Sequence, residues 1–185
     1  MSRPLQPSRL NMKAFAQEGV ALAETTPLQN LERLAEETQG LQADSAVQWE
    51  ARGELRPRTG ADDEVWLHLQ AQATVPLTCQ RCMGVVETPV EVDQWYRFVA
   101  SEDIAMAEDD QSEEDLLVME PQFNLLAVLE DELLMALPLV PMHEECPVAP
   151  RLQAGDVEAP GAAGEPAGKP NPFAVLAAEE QEVVT

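Results

Sequence analysis

The stretch Val65-Trp66-Leu67-His68-Leu69-Gln70-Ala71-Gln72-Ala73-Thr74-Val75-Pro76-Leu77 places an apolar residue at every second position. Val65, Leu67, Leu69, Ala71, Ala73, Val75 and Leu77 share one face of an extended chain; Trp66, His68, Gln70, Gln72 and Thr74 share the other. A period of two held this long predicts an antiparallel strand with one face buried and one wet. The same pattern precedes it: Val47, Trp49, Ala51, Gly53 and Leu55 alternate with Gln48, Glu50, Arg52, Glu54 and Arg56. A third strand is predicted over Val85 to Val99, and Pro89 assigns it to an edge or to a bulge, because proline cannot donate to a ladder.

Outside this sheet the period changes. Residues 9–39 read as helical with a break at Thr25-Thr26-Pro27, where Thr26 suits an N-cap and Pro27 a first helical position. Leu28, Leu31, Leu34 and Ala35 then fall at helical spacing, with Gly40 as the stop. Residues 101–115 hold eight acids and no base, which predicts a solvated loop, and Leu116 to Val118 a short returning strand. Asn124 suits the N-cap of a helix over Leu125 to Leu137 that leaves only a narrow polar face at Glu130 and Asp131, so this helix is expected to cover the sheet. Pro138 ends it. Residues 147–170, rich in Pro, Gly and Ala, read as a tether to a short apolar helix begun by Asn171 and Pro172.

The resulting expectation is an α+β fold: an antiparallel meander covered by helices, with a flexible C-terminal tail ending in a short helix. Its parts are an N-terminal helical segment (1–40), one core domain (41–146) containing the acidic loop 101–115, a linker (147–170) and the tail (171–185).

Charge narrows the function. Of 185 residues, 34 are acidic and 11 basic, a formal charge of −23. Residues 1–97 hold 14 acids and nine bases, whereas residues 98–185 hold 20 acids and two bases. Nucleic-acid affinity comes mainly from Lys and Arg neutralising phosphates, so this balance has the wrong sign for a general RNA or DNA binder. Anionic membranes repel it too, and no apolar run reaches membrane-spanning length. The first ten residues carry no apolar signal region, and three cysteines do not make a disulfide framework; both readings point to a reduced, cytoplasmic chain.

Cys79-Gln80-Arg81-Cys82 lies between two predicted strands, with Gly84 two residues on. Two thiolates so spaced grip one zinc ion from a tight turn, and His143-Glu144-Glu145-Cys146 supplies the spacing for the other half of a Cys3His set. The alternative is three unmetallated thiols with His143 exposed beside two glutamates. A redox reading is weaker, because the motif leads into a strand and not a helix N-terminus. With only His68 and His143 as histidines, and no nucleophile-elbow, phosphate-loop, dinucleotide or zinc-protease pattern, no active site or small-molecule substrate is read, and the chain is taken as a non-enzyme.

Two binding surfaces remain. Glu108, Asp109, Asp110, Glu113, Glu114 and Asp115 offer a site for a basic protein, or else solvate a loop; Pro172 and Phe173 offer a tethered docking element, or else pack on their own domain. Arg52, Arg56 and Arg58, with Arg81 near, form a basic patch for RNA, or else an ordinary charged strand face.

Three segments together, Leu77-Thr78-Cys79-Gln80-Arg81-Cys82, Leu129-Glu130-Asp131-Glu132-Leu133-Leu134-Met135-Ala136-Leu137-Pro138 and Lys169-Pro170-Asn171-Pro172-Phe173-Ala174-Val175-Leu176, resemble the bacterial YceD family of large ribosomal RNA subunit accumulation proteins. The resemblance spans nearly the whole chain. It implies a role in synthesis, processing or stability of 23S rRNA in the cytoplasm, without known catalysis. Combined with the charge, it leads to the expectation of a basic large-subunit ribosomal protein or a pre-ribosomal particle as partner, with rRNA reached indirectly. Direct binding of rRNA through the arginine patch is the alternative.

Overall fold

The alternating stretch forms β3 (Glu64–Thr78), flanked by β2 (Ala46–Arg56) and β4 (Val85–Val99). The computed structural model describes residues 5–60 and 62–148. Directly opposed residues of antiparallel strands share a face. Gly53, Leu67 and Tyr96 therefore form one cross-strand row on the core side, and Arg52, His68 and Trp95 form one on the outer side.

Two further strands complete a five-stranded sheet in the order β1-β2-β3-β4-β5. The first corrects the helical reading of residues 9–39. Only Met12–Glu18 (α1) and Glu32–Glu36 (α2) are α-helical, and Ala21–Pro27 is β1, antiparallel to β2. Thr26 does not cap a helix; its hydroxyl accepts the Trp49 indole N–H at 2.9 Å. Pro27 closes the strand, and Leu28–Asn30 is a single tight turn.

The second correction concerns the acidic segment. It is not a loop throughout, since Glu102–Glu108 forms α3, whose first turn is capped by the Ser101 hydroxyl. Glu102 and Asp103 lie in that first turn, where negative charge suits the helix dipole. This crossover returns the chain to run β5 (Asp115–Val118) parallel to β4, so the sheet is mixed rather than purely antiparallel. β5 reaches only Tyr96 to Val99, which leaves Pro89 on a stretch of β4 without a neighbour on that side, as its missing N–H requires.

Leu125–Met135 forms α4, with Asn124 accepting from the Ala127 N–H. Leu125, Leu129 and Leu133 are fully buried and meet Leu10, Met12 and Phe15 in the core. Reciprocal backbone bonds of 2.8 Å between Leu10 and Phe123 tie the N-terminal residues to the entry of α4. α1 packs against β2 so closely that a Cβ on Gly53 would fall 2.7 Å from Phe15 and 2.9 Å from the Ala16 backbone. Among the described residues no helix is long and apolar enough to cross a membrane. The residues of the tether from 149 on, and the C-terminal segment with Pro172 and Phe173, lie outside the described residues.

Candidate functional site

Where β3 turns into β4, the chain makes a tight knuckle. The Cys79 N–H donates to Gly84 O and the Met83 N–H to Cys79 O, both at 2.8 Å. Met83 takes a left-handed φ of 61°, a conformation unfavourable for a side chain and kept here by those two bonds. The loop after α4 is held against this knuckle by the Gln80 N–H, which donates to Pro141 O at 2.9 Å. Two segments more than 60 residues apart in sequence thus meet at one corner of the sheet.

Cys79, Cys82, His143 and Cys146 meet there, with all four donor atoms within 4.8 Å of one another. The Cys79 and Cys146 sulfurs are 3.9 Å apart, and Cys82 Sγ lies 3.5 Å from His143 Nδ1. A tetrahedral zinc with Zn–S of about 2.3 Å and Zn–N of about 2.0–2.1 Å sets sulfur pairs about 3.8 Å apart and sulfur–nitrogen pairs about 3.6 Å apart. Those two distances match, and Cys3His is a closed, structural type of donor set. The residues fit the ion.

Electrostatics agree with this. Burial opposes ionisation of Cys79, but the backbone N–H groups of Cys82, His143 and Arg81 and the His143 side chain outweigh it and bring the thiol down to about 5. The Gly84 N–H favours a Cys82 thiolate, yet burial and the neighbouring Cys79 and Cys146 sulfurs push that thiol up. Crowded sulfurs compete for negative charge, and a divalent cation at their centre removes the competition.

Arg81 belongs to this corner and not to the arginine face. Its Nε donates to Cys146 Sγ at 3.1 Å, and a terminal nitrogen donates to the carbonyls of His143 and Glu144. It closes the second half of the donor set onto the first. The other three arginines sit at the opposite end of β2 and β3, each against its own glutamate: Arg52 on Glu50, Arg56 on Glu54 and Arg58 on Glu64.

The acidic segment divides in two. Glu108 and Glu114 turn inward onto buried Arg97 at 2.8 and 3.1 Å, and Asp115 accepts from Gln94. Asp109, Asp110 and Glu113 are exposed and have no cationic partner among the described residues.

A model of the large ribosomal RNA subunit accumulation protein YceD matches residues 67–178. The chain belongs to the YceD family. A large ribosomal RNA subunit accumulation protein YceD from Haemophilus influenzae is 37% identical over 161 residues, covering 82% of this chain and 83% of that protein. No solved structure matches. In this YceD chain the matched region holds all four donors, Arg81 and the whole acidic segment, whereas Arg52, Arg56 and Arg58 precede it.

Proposed function

We propose that this YceD chain supports accumulation of 23S rRNA and assembly of the large ribosomal subunit without catalysis, by binding a basic ribosomal protein or assembly intermediate. The family name supports the ribosomal setting. One observation carries the partner's chemistry: Arg52 and Arg56 on the sheet face and Arg58 in the following turn are neutralised by the chain's own glutamates, while Asp109, Asp110 and Glu113 present uncompensated charge. A surface of that sign attracts cationic protein and repels phosphate.

In the same reading, Cys79, Cys82, His143 and Cys146 hold a structural zinc that pins the loop after α4 to the sheet. The ion contributes folding free energy there and no reaction step. His68 stacks on Trp95 at 4.2 Å and bonds Asp93 at 2.6 Å, and in this reading it serves the sheet face.

Binding of the purified full chain to a set of purified basic large-subunit ribosomal proteins, at low and at molar salt, tests the proposal. Saturable association that weakens steeply with salt supports it. Tight binding to a 23S rRNA fragment with no affinity for any of those proteins overturns it.

A further inference from the structure

The outer face of the sheet carries an aromatic stack that the sequence pattern does not reveal. Trp66 and Trp95 meet edge to face with ring centroids 6.3 Å apart. His68 lies flat on Trp95, and the Arg56 guanidinium sits 3.7 Å from the Trp66 centroid and 4.5 Å from that of Trp95. Beside this stack is a pocket of about 330 Å3 lined by Arg56, Trp66, Gln94, Trp95, Glu113 and Glu114.

The charges around the pocket leave one carboxylate over. Arg56 is paired with Glu54, and Glu114 with Arg97. Glu113, exposed at the rim, has no cation among the described residues. Aromatic rings attract cations through their quadrupoles, and a planar guanidinium stacks on them best. Arg56 shows that these two rings accept such a group.

We propose that this pocket receives an arginine side chain of the basic partner, its guanidinium against the part of Trp95 that lines the pocket and paired with Glu113. This rests on the basic-partner reading and adds to it a place and a residue type. An arginine entering here neutralises the unpaired carboxylate, and it meets the kind of aromatic surface that already holds Arg56.

The test is fluorescence titration of the full chain with a short peptide of alternating glycine and arginine, repeated with oligouridine. Of the three tryptophans, Trp66 and Trp95 line the pocket and Trp49 does not, so the response reports on Trp66 and Trp95. Saturable quenching by the peptide is expected, weakened about 3- to 10-fold by Glu113→Gln and by Trp95→Leu, and little by Glu18→Gln, which removes an exposed charge on α1, outside both the pocket and the acidic segment. Glu113 is exposed, so Glu113→Gln reports on the pocket even where Trp95→Leu disturbs folding. Equal weakening by Glu113→Gln and Glu18→Gln overturns the pocket and leaves the basic-partner reading standing. Absence of any peptide binding counts against both. Trp95-dependent binding of oligouridine in place of the peptide overturns the pocket's assignment to a protein.

Discussion

Glu130, in the middle of α4, reaches across to Arg33 in α2 and binds it twice over. Its carboxylate accepts the backbone N–H of Arg33 at 2.8 Å and of Leu34 at 3.2 Å, and the guanidinium at 3.0–3.1 Å. α2 begins at Leu31–Glu32 with no side-chain cap of its own, so a carboxylate 97 positions away supplies one. A short helix that is marginal alone is fixed by this anion. Arg33 also reaches Asp131 and so lies along the polar edge of α4.

Replacing Glu130 by alanine therefore removes two backbone partners and an ion pair at a nearly buried position. The expected loss of stability is about 2–4 kcal/mol, by the usual cost of removing charge-assisted bonds and leaving buried donors unmet. Arg33→Ala is expected to cost less, because Glu130 still caps the helix. Urea denaturation of both variants checks the order, and a larger loss for Arg33→Ala contradicts it.

The close approach of α1 to β2 makes Gly53 irreplaceable by alanine. A Cβ there meets the Ala16 backbone, which cannot rotate away, and the expected destabilisation is about 1–3 kcal/mol. Gly60, with nothing near its Cβ position, is the control for crowding: it carries only the strain of its left-handed φ. Thermal melts of Gly53→Ala and Gly60→Ala compare the two.

Parts of this fold were legible in the sequence because they repeat. β2, β3 and β4 carry a strict period of two, and α4 has an N-cap asparagine, a leucine face and a closing proline. β1 was not legible, since it is an edge strand in which only Thr26 is buried and its small residues leave no alternation. The leucines that follow it, Leu28, Leu31 and Leu34, happen to keep helical spacing through a turn and a short helix. α3 did carry a cap signature, Ser101 before Glu102 and Asp103, but its acid content masked it. At the corner of Cys79, Cys82, His143 and Cys146 the grouping of the four candidate donors followed from spacing, whereas the part of Arg81 did not, because it works through carbonyls and a sulfur brought in by the loop after α4. The stack of Arg56, Trp66, His68 and Trp95 required the strand register.

The corner of Cys79, Cys82, His143 and Cys146 leads to a graded set of outcomes. The purified chain is expected to carry about one zinc per molecule, and Cys79→Ser or Cys146→Ser to lose it. Arg81→Ala keeps all four donors and loses the bonds that orient them, so it is expected to bind zinc about 10- to 100-fold more weakly without abolishing binding. Competition with a chelator of known affinity measures this. Chelation is also expected to lower the melting temperature of the parent chain and to leave that of Cys79→Ser unchanged.

Acid stability follows from the Arg97 cluster. Burial raises the Glu114 carboxyl, but bonds from Ser112 and Arg97 outweigh it and hold it below its ordinary 4.5. A carboxylate lowered on folding adds stability that is complete above its unfolded value and is lost as pH falls through the folded one. Asp93, lowered chiefly by its bond from His68, acts in the same direction. The melting temperature is therefore expected to fall below about pH 4.5, and less steeply in Glu114→Gln. An unchanged slope in that variant counts against the cluster's part.

The central claim, that so acidic a chain reaches 23S rRNA through a cationic protein, is tested most directly by crosslinking in growing cells, with both peptides and nucleotides sequenced from the products. The account predicts links from the segment around Asp109, Asp110 and Glu113 to lysines of a large-subunit ribosomal protein. Links from Arg52, Arg56 and Arg58 to rRNA nucleotides, with no ribosomal protein among the products, would contradict it.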